Sequence, residues 1–272
     1  MPLVSVVTVC FNALDALKRT IYSVHSQSFK DYEYLIVDGA SRDGTVQFLS
    51  SELSQIYDNE RIRWISEPDK GIYDAMNKAL YLAKGDYVIF MNAGDIFVSS
   101  EVLEETEPFL RQQAAVVYGD YVVQNKYYKE LVKAESLDTP WLGMKFCHQS
   151  TFIHQDIALH TPFSGQYITS DFEQIYTLFC RGERFLYTKK PIAIFSHDGL
   201  SSKNKLKVRY ESLEIVQKQG KLDSQTQVLF EKLIKRTKYI EAARTYLPKR
   251  LFEWLSRVKI KFFGSRKTIF ED

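Results

Sequence analysis

Acidic and amide side chains follow several apolar, strand-like runs of this chain, where they could bind a polar ligand. The clearest case lies within residues 85–97, GDYVIFMNAGDIF, where the apolar run 87–91 stops abruptly at 92–95. This run has the length and β-rich composition of a buried parallel strand, and the segment NAGD cannot continue it. Ligands of open α/β sheets bind at the carboxyl ends of the strands, so Asp95 is predicted to present a carboxylate to a ligand.

Two earlier apolar runs also lead into acids. Asp38 follows the run 34–37 and opens the segment DGASRDGT. At a strand tip, its carboxylate could accept hydrogen bonds from a base or a ribose, whereas Asp43 suits a helix cap. A third run leads into SEPDKG, where Lys70 could reach a diphosphate at the start of the next helix. Asp69 suits either that ligand site or a helix cap.

The elements that position these residues alternate along the chain. Hydrophobic spacing predicts strands and helices in turn, with strands over 4–10, 34–37, 61–65 and 87–91 and helices over 13–27, 45–56 and 72–83. Repeated β-α units imply an α/β fold with a mostly parallel sheet and helices on both faces. From about residue 118 to residue 201 the pattern loosens into short strands and loops, with one helical segment at 171–179. This half is predicted to face the substrate.

Composition narrows the class of protein. The chain has 272 residues, 45% hydrophobic and 26% charged, which is ordinary for a soluble protein with one α/β domain and an appendage. Its three cysteines are widely spaced and form no CxxC pair, which favours a reducing compartment over a disulfide framework or a zinc site. The apolar residues 3–11 lack the flanks of a secretory signal, and no run is long enough to span a membrane.

Charge is distributed unevenly along the chain. Residues 202–272 hold 18 Lys and Arg against 8 Asp and Glu, whereas residues 1–201 hold 18 against 26. This asymmetry predicts a domain over 1–201 and a basic helical extension over 202–272. Within the extension, residues 247–263 place apolar side chains at helical spacing among lysines and arginines. Such a helix either lies on an anionic membrane surface or packs on the domain, and the charge excess favours the membrane.

Other nucleotide-binding classes lack their motifs. No G-x-G-x-x-G follows the first strand, which argues against a dinucleotide oxidoreductase, and no G-x-x-x-x-G-K-[ST] supports a P-loop nucleotidase. The glycine-rich basic loop of a sugar nucleotidyltransferase is also missing after the first strand. The alternative of a nucleotide-sugar-binding protein without catalysis stays open. Nucleic acid is not an expected partner.

Four segments in this order, VSVVTVCFN, LIVDGASRDGT, SEPDKGIYDAMNKAL and GDYVIFMNAGD, resemble the nucleotide-sugar half of family 2 glycosyltransferases with the A-type fold. The resemblance is closest to bacterial enzymes that build O-antigen and exopolysaccharide repeats, and it covers residues 2–201. It implies a hexosyltransferase (EC 2.4) that moves a sugar from a UDP-sugar, with inversion, to a lipid-linked glycan. Such an enzyme would be cytoplasmic and peripherally bound to the anionic inner face of the cell membrane.

The resemblance also implies roles for individual residues at the nucleotide. It makes Asp38 a contact to the nucleoside and places Phe11 and Asn12 beside the base and the ribose. Asp69 and Lys70 fall in the loop that borders the nucleotide pocket. These five residues are therefore the predicted nucleotide contacts.

Residues 92–95 match the acidic motif with which the family holds Mg²⁺ or Mn²⁺ against the donor diphosphate. Asn92 and Gly94 stand where acids are common, so Asp95 is the predicted principal metal ligand and Asn92 is assigned to the donor. One carboxylate can serve, since Mg²⁺ often binds through one or two carboxylates, phosphates and waters. His197, after a strand-like run, is either the second metal ligand or a histidine hydrogen-bonded at a loop edge.

Inverting transfer needs a base for the acceptor hydroxyl, and an Asp or Glu within hydrogen-bond reach suffices. Asp171, in ITSDFE, matches the acidic position at a helix start that supplies this base in the family. Without the resemblance, Asp171 suits a helix cap. Asp120 and the segment HQS at 148–150 either approach the donor sugar or the acceptor, or are satisfied polar groups in a strand turn.

Overall fold

Nine strands form one sheet at the centre of the part of the chain that the structure describes. The structure is a computed structural model, and it describes residues 1–56, 61–124, 129–134, 137, 146–196 and 204–246. The order of the strands in the sheet is β3-β2-β1-β4-β8-β6-β9-β5, and β7 pairs with β6. Their bounds are β1 (Val4–Cys10), β2 (Tyr32–Asp38), β3 (Ile62–Ser66), β4 (Tyr87–Phe90), β5 (Ile96–Phe97), β6 (Val116–Gln124), β7 (Lys129–Val132), β8 (Thr151–His154) and β9 (Phe185–Ser196).

Helices cover both faces of this sheet. They are α1 (Leu14–His25), α2 (Thr45–Gln47), α3 (Leu53–Ile56), α4 (Ile72–Leu82), α5 (Val102–Leu110), α6 (Gln155–His160), α7 (Ser170–Cys180), α8 (Lys205–Lys218) and α9 (Ser224–Tyr246). Alternate side chains of β1 enter two separate cores, because Val4 and Val6 pack with α1 whereas Val7 and Val9 pack with α4. Burial on both faces explains why β1 is a continuous apolar run.

The first four strands pair in parallel, and this arrangement determines where the loops meet. β1 lies between β2 and β4, and β3 lies on the far side of β2. Their register places Cys10 opposite Asp38, and Asp38 opposite Ser66. The carboxyl ends of β1, β2 and β3 therefore meet at one edge of the sheet.

The predicted α/β class and the order of its first elements are confirmed, but the second half of the sheet is not mostly parallel. β8 pairs antiparallel with β4 and β6, β7 with β6, and β5 with β9, whereas β6 and β9 are parallel. β7 begins so soon after β6 that the connection is too short for parallel pairing. The sheet is mixed, with its continuous parallel part in β1 to β4.

Residues 45–56 form a broken helix instead of the continuous helix predicted. A π-helical turn, Phe48–Glu52, separates α2 from α3. The wider π turn brings residues five apart toward the same face, and Phe48 and Leu53 are both buried in the core that α1 also lines. Packing against this core accounts for the departure from the regular helical period.

The helices α8 and α9 pack against α7 through a third apolar cluster. Its buried side chains come from all three helices and the segment before α7, namely Tyr167, Phe172, Tyr176, Ile215, Val216 and Phe230. The predicted amphipathic helix at 247–263 lies outside the described residues, and the division of the chain near residue 201 stays a prediction. In the described part of the chain, no helix is both long and apolar enough to cross a membrane.

A buried carboxylate joins β1, β2 and β3 at the opposite end of the strands. Glu33 accepts hydrogen bonds from Ser5 Oγ (2.6 Å), from the Lys84 amide (2.5 Å) and from Arg63 Nη2 (2.6 Å). Burial raises the pKa of the Glu33 carboxyl, but these donors outweigh burial and hold the pKa below its usual value. The folded protein therefore favours the ionised form.

Glu33→Gln is expected to lower the free energy of unfolding by about 2 kcal/mol at neutral pH, because it removes the charge that three donors face. The pKa of Glu33 is lower in the folded protein than in the unfolded chain. Its contribution to the free energy of unfolding is therefore complete above the unfolded pKa and is lost as pH falls through the folded pKa. In urea denaturation, the difference from wild type should therefore shrink below about pH 4. Glu52→Gln, which alters a surface pair with Lys18 at 4.0 Å, is the control. If the difference in the free energy of unfolding between Glu33→Gln and wild type does not change with pH, the charge of Glu33 does not have this role.

Candidate active site

Asp38 organises the edge where β1, β2 and β3 end. Its side chain is fully buried. Oδ1 accepts from Ser41 Oγ (2.5 Å) and Cys10 Sγ (3.5 Å), and Oδ2 accepts from the Ser41 amide (2.9 Å) and Ser66 Oγ (2.7 Å). These donors fill the carboxylate, so a nucleoside could contact Asp38 only by displacing one of them. The nucleoside contact stays a prediction, and the observed role of Asp38 is to join the ends of β1 and β3 to the loop after β2.

Asp38→Asn is expected to lower the free energy of unfolding by about 2 kcal/mol, because an amide nitrogen would face donors that now meet an oxygen. Urea denaturation measures this change. The control is Asp15→Asn on the exposed side of α1, which should cost less than about 1 kcal/mol. Equal stability of the Asp38 variant and wild type would contradict the hydrogen-bond arrangement.

An exposed ring and a carboxylate lie side by side at this edge. The Phe11 ring is 62% exposed. Both the ring and Asp69 Oδ2 approach Gly39 so closely that a side chain at position 39 would collide with the carboxylate. Asp69 Oδ1 accepts from the Gly71 amide (2.8 Å), which fixes the loop after β3. Because Gly39 has no side chain, the Phe11 ring stays exposed beside the Asp69 carboxylate, and an exposed aromatic ring is a surface on which a base can stack.

Asn12 and Lys70 lie in the loops that flank this surface. Asn12 has a left-handed φ of 48°. Its backbone amide donates to Ser41 Oγ (2.7 Å), and its side-chain Oδ1 accepts from the backbone amide of Arg42 (2.8 Å). The Lys70 amide donates to Asp74 Oδ2 (3.0 Å), and the Lys70 side chain is exposed. The backbones of both loops are fixed by hydrogen bonds, and the roles of the two side chains toward a donor stay predictions.

Two side-chain oxygens of the loop after β4 are candidate metal ligands. Asp95 is only 9% exposed, and its Oδ2 accepts from Gln149 Nε2 (3.1 Å). Burial raises the pKa of the Asp95 carboxyl to about 6, against the lowering effects of His148 and Gln149. The Oδ1 atom of Asn92 is buried and has no hydrogen-bond partner among the described residues. A desolvated carboxylate and an unpartnered amide oxygen therefore belong to the same short loop.

These oxygens suit a hard divalent cation. Mg²⁺ prefers oxygen ligands and keeps waters and substrate phosphates around it, so a single carboxylate can suffice. Among the described residues, no group of three or more His, Cys, Asp and Glu side chains could hold a metal. His197, the predicted second ligand, lies outside the described residues. The donor atoms fit a cation that a diphosphate helps to bind.

His148 connects this loop to Asp171. Its Nδ1 lies 3.2 Å from Asp171 Oδ2, and its Nε2 lies 3.3 Å from Asn92 Nδ2. Because the Asn92 amide nitrogen can only donate, Nε2 accepts and the ring proton on Nδ1 faces the carboxylate. Asp171 Oδ1 accepts from Tyr73 Oη (3.3 Å) and from the Phe172 amide (2.9 Å). Asp171 therefore satisfies one amide of its own helix and also contacts two side chains from other elements.

The Asp171 carboxylate is ionised and held in place. Burial raises the pKa of its carboxyl, but the hydrogen bonds from His148, from the Phe172 amide and from Tyr73 hold the pKa below its usual value. Helix α8 fixes the start of α7, because Glu211 Oε2 accepts from the amide (3.2 Å) and the hydroxyl (2.9 Å) of Thr169. This contact thus supports the helix that carries Asp171.

The sequence identifies only part of this cluster. It leaves two roles open for the segment at 148–150, and the structure brings His148 and Gln149 beside the predicted metal loop. Tyr73 is missed, although its place beside the SEPDKG segment is a signal, and its hydroxyl also donates to a backbone carbonyl before α7. Asp120 has the alternative, structural role, since its carboxylate accepts from the Tyr187 hydroxyl and from a backbone amide.

Comparison with known proteins identifies relatives of this chain. The family model described as Glycosyl transferase family 2 matches residues 5–191. An uncharacterized glycosyltransferase of Mycobacterium tuberculosis is 41% identical over 106 residues, which is 38% of this chain and 38% of the relative. TuaG of Bacillus subtilis, named for teichuronic acid biosynthesis, is 33% identical over 120 residues, 44% of this chain and 47% of TuaG. The chain spans less than half the length of these curated relatives.

Two solved structures share the fold. The mannosyltransferase PcManGT from Pyrobaculum calidifontis, in complex with GDP-Man and Mn²⁺, aligns with a TM-score of 0.65 and 13% identity over 96% of this chain and 81% of that chain. TarS from S. aureus, in complex with UDP-GlcNAc, aligns with a TM-score of 0.64 and 13% identity over 96% of this chain and 78% of that chain. These similarities confirm the A-type glycosyltransferase fold predicted from the sequence.

Proposed function

The chain belongs to glycosyl transferase family 2, and on this premise we propose that it moves a sugar from a UDP-sugar to a lipid-linked glycan, with a divalent metal and with inversion. The observation that carries this proposal is the contact path from Asn92 through His148 to Asp171. It joins the predicted metal and donor loop to the predicted base. A donor site and a base within one cluster suit group transfer, which depends on holding both reactants in a fixed geometry.

The donor would bind along the edge of the sheet. Its base would stack on Phe11 beside Asn12 and Asp69, and its diphosphate would lie toward Lys70 and Asp95. Mg²⁺ or Mn²⁺, held by Asp95 and by an oxygen of the same loop, would supply positive charge to the departing diphosphate. The complexes of PcManGT with GDP-Man and Mn²⁺ and of TarS with UDP-GlcNAc support a nucleotide-sugar donor. The choice of uridine follows from the family resemblance.

Transfer would proceed by displacement at the anomeric carbon. The acceptor hydroxyl attacks from the side opposite the diphosphate, and Asp171 takes its proton. A bond forms between the acceptor oxygen and the anomeric carbon, the bond to the β-phosphate oxygen breaks, and UDP leaves with the electron pair. Tyr73 and His148 hold the Asp171 carboxylate in place. Because His148 and Asp171 are in contact, they titrate as a coupled pair. The proton taken from the acceptor hydroxyl is therefore held by the pair and is not assigned to one residue.

The proposed acceptor is a glycan on a lipid carrier at the inner face of the cell membrane. The basic charge of residues 202–272 supports an anionic membrane surface as a partner. The name of TuaG, which refers to teichuronic acid biosynthesis, supports a polysaccharide as the product. We therefore assign the protein to a cytoplasmic, peripheral position in surface polysaccharide synthesis.

A nucleotide-sugar-binding protein of the same fold is the second candidate. Asp95 is the only acid in residues 92–95, where the family commonly has more. This candidate predicts binding of the donor without turnover.

A donor screen with the purified protein distinguishes the two candidates. UDP, GDP and dTDP sugars are offered with Mn²⁺ or Mg²⁺ and a bacterial lipid extract, and release of the nucleoside diphosphate is followed. We expect release from a UDP-sugar. Binding of a nucleotide sugar with no release from any donor would favour the second candidate and contradict the first.

A further inference from the structure

Helix α9 exposes a basic face on the side away from its packing partners. Phe230 is fully buried in the cluster shared with α7 and α8, and Ile234 is buried one turn further on. Exposed side chains recur on the other side of the helix at spacings of three and four residues. We define the basic face as Val228, Lys232, Lys235, Arg236, Tyr239 and Ile240. Tyr239 is the most exposed of its apolar members, at 65%.

This face carries cations and no carboxylate. The two acids of α9 make contacts elsewhere, since Glu241 Oε1 accepts from the Leu206 amide on α8 (3.2 Å) and Glu231 Oε1 accepts from Gln227 (3.2 Å) along the flank of the helix. The three cations of the basic face border one shallow groove together with its tyrosine and isoleucine. The basic face therefore places three cationic side chains beside one aromatic and one aliphatic side chain.

We propose that the basic face of α9 is the surface by which the protein docks on an anionic phospholipid bilayer. Lysine and arginine near an anionic leaflet are attracted to its phosphates. Tyrosine suits the boundary between headgroups and acyl chains, where its hydroxyl stays in water and its ring is apolar, and isoleucine adds apolar surface beside it. The excess of 18 Lys and Arg over 8 Asp and Glu in residues 202–272 complements such a surface. The inference extends the proposed function, which places the acceptor on a lipid carrier, but docking does not require catalysis.

Co-sedimentation with vesicles tests the docking surface. Wild type is expected to bind phosphatidylcholine vesicles that contain about 30% phosphatidylserine, to bind pure phosphatidylcholine vesicles poorly, and to be released as salt is raised. The triple variant Lys232→Gln, Lys235→Gln, Arg236→Gln should bind roughly 100-fold more weakly. A matched triple variant, Lys84→Gln, Lys129→Gln, Lys133→Gln, removes the same charge from other exposed sites and should bind within about 3-fold of wild type.

The same variants separate docking from catalysis. Both should release UDP at the wild-type rate when the acceptor is dissolved in detergent, so a failure of docking leaves the proposed function untouched. Equal vesicle binding by the two triple variants would overturn the proposal. A dimer in gel filtration that only the basic-face variant dissolves would make a second copy the occupant, and RNA binding tighter than vesicle binding would make the partner a nucleic acid. Either result would also overturn it.

Discussion

Asp95→Asn is expected to lower kcat/KM for release of UDP by about 10³-fold, because it removes the negative charge of the predicted principal metal ligand. The shape of the side chain is kept, and the amide oxygen can still accept the hydrogen bond that Gln149 Nε2 now donates to the carboxylate. The loss should therefore appear in metal binding and turnover and leave the fold intact. Steady-state rates across a Mn²⁺ titration measure the loss of metal binding and turnover. Thermal unfolding checks that the fold is intact.

A direct reading of the metal separates this explanation from a general loss of activity. Electron paramagnetic resonance of Mn²⁺ in the presence of UDP should show bound ion for wild type and for the exposed variant Asp15→Asn, but little for Asp95→Asn. An Asp95 variant that keeps metal-dependent turnover within about 3-fold of wild type would contradict the assignment of Asp95.

Asp171→Asn is expected to lower the rate of sugar transfer by about 10²–10⁴-fold, the range for removal of a general base. Donor affinity should be unchanged, because the predicted contacts of the nucleotide lie in the loop after β1, at the end of β2 and in the loop after β3. Single-turnover transfer at saturating donor, with calorimetric measurement of UDP binding, separates the two quantities. The neighbouring acid Glu173, hydrogen-bonded to Ser164, offers the control Glu173→Gln on the same helix.

The Asp171 prediction has a clear contrary result. If Asp171→Asn and Glu173→Gln transfer sugar at similar rates, Asp171 is a helix cap and the base is another group. If transfer and UDP binding fall together, Asp171 supports the structure of the site and does not act only on the acceptor. His148→Gln should reduce transfer less than Asp171→Asn, because it removes a group that positions the base and leaves the base itself.

The first half of the fold could be predicted because local signals agree there. The strands β1, β2 and β4 are buried on both faces and mostly apolar, and such a strand is recognisable without knowledge of its neighbours. The break in residues 45–56 could not be predicted, since it depends on how Phe48 and Leu53 meet the core. The antiparallel pairs of β8 with β4 and β6, and of β5 with β9, join strands distant in the chain. β5, β7 and β8 have two to four residues each, which is too short for a clear periodicity.

The residues of the site were easier to identify than their contacts. Asp38, Asp95 and Asp171 stand out as acids at or just after the ends of elements, but the donors that fill the Asp38 carboxylate come from the ends of β1 and β3 and from the loop after β2. His148 meets both Asn92 and Asp171 only because β8 pairs with β4, which places the segment before β8 beside the loop after β4. A contact between residues this far apart in sequence follows from the tertiary fold and not from local spacing.

The most direct test of the proposed activity is the fate of a labelled sugar. The purified protein is given a UDP-sugar labelled in the sugar, Mn²⁺ and a bacterial lipid extract, and the label in the organic phase is counted. Wild type should move label into the lipid fraction, with one UDP released for each sugar transferred, and a chelator or Asp171→Asn should abolish the transfer. Release of UDP with all of the label left as free sugar in water would identify a hydrolase and contradict the proposed transfer.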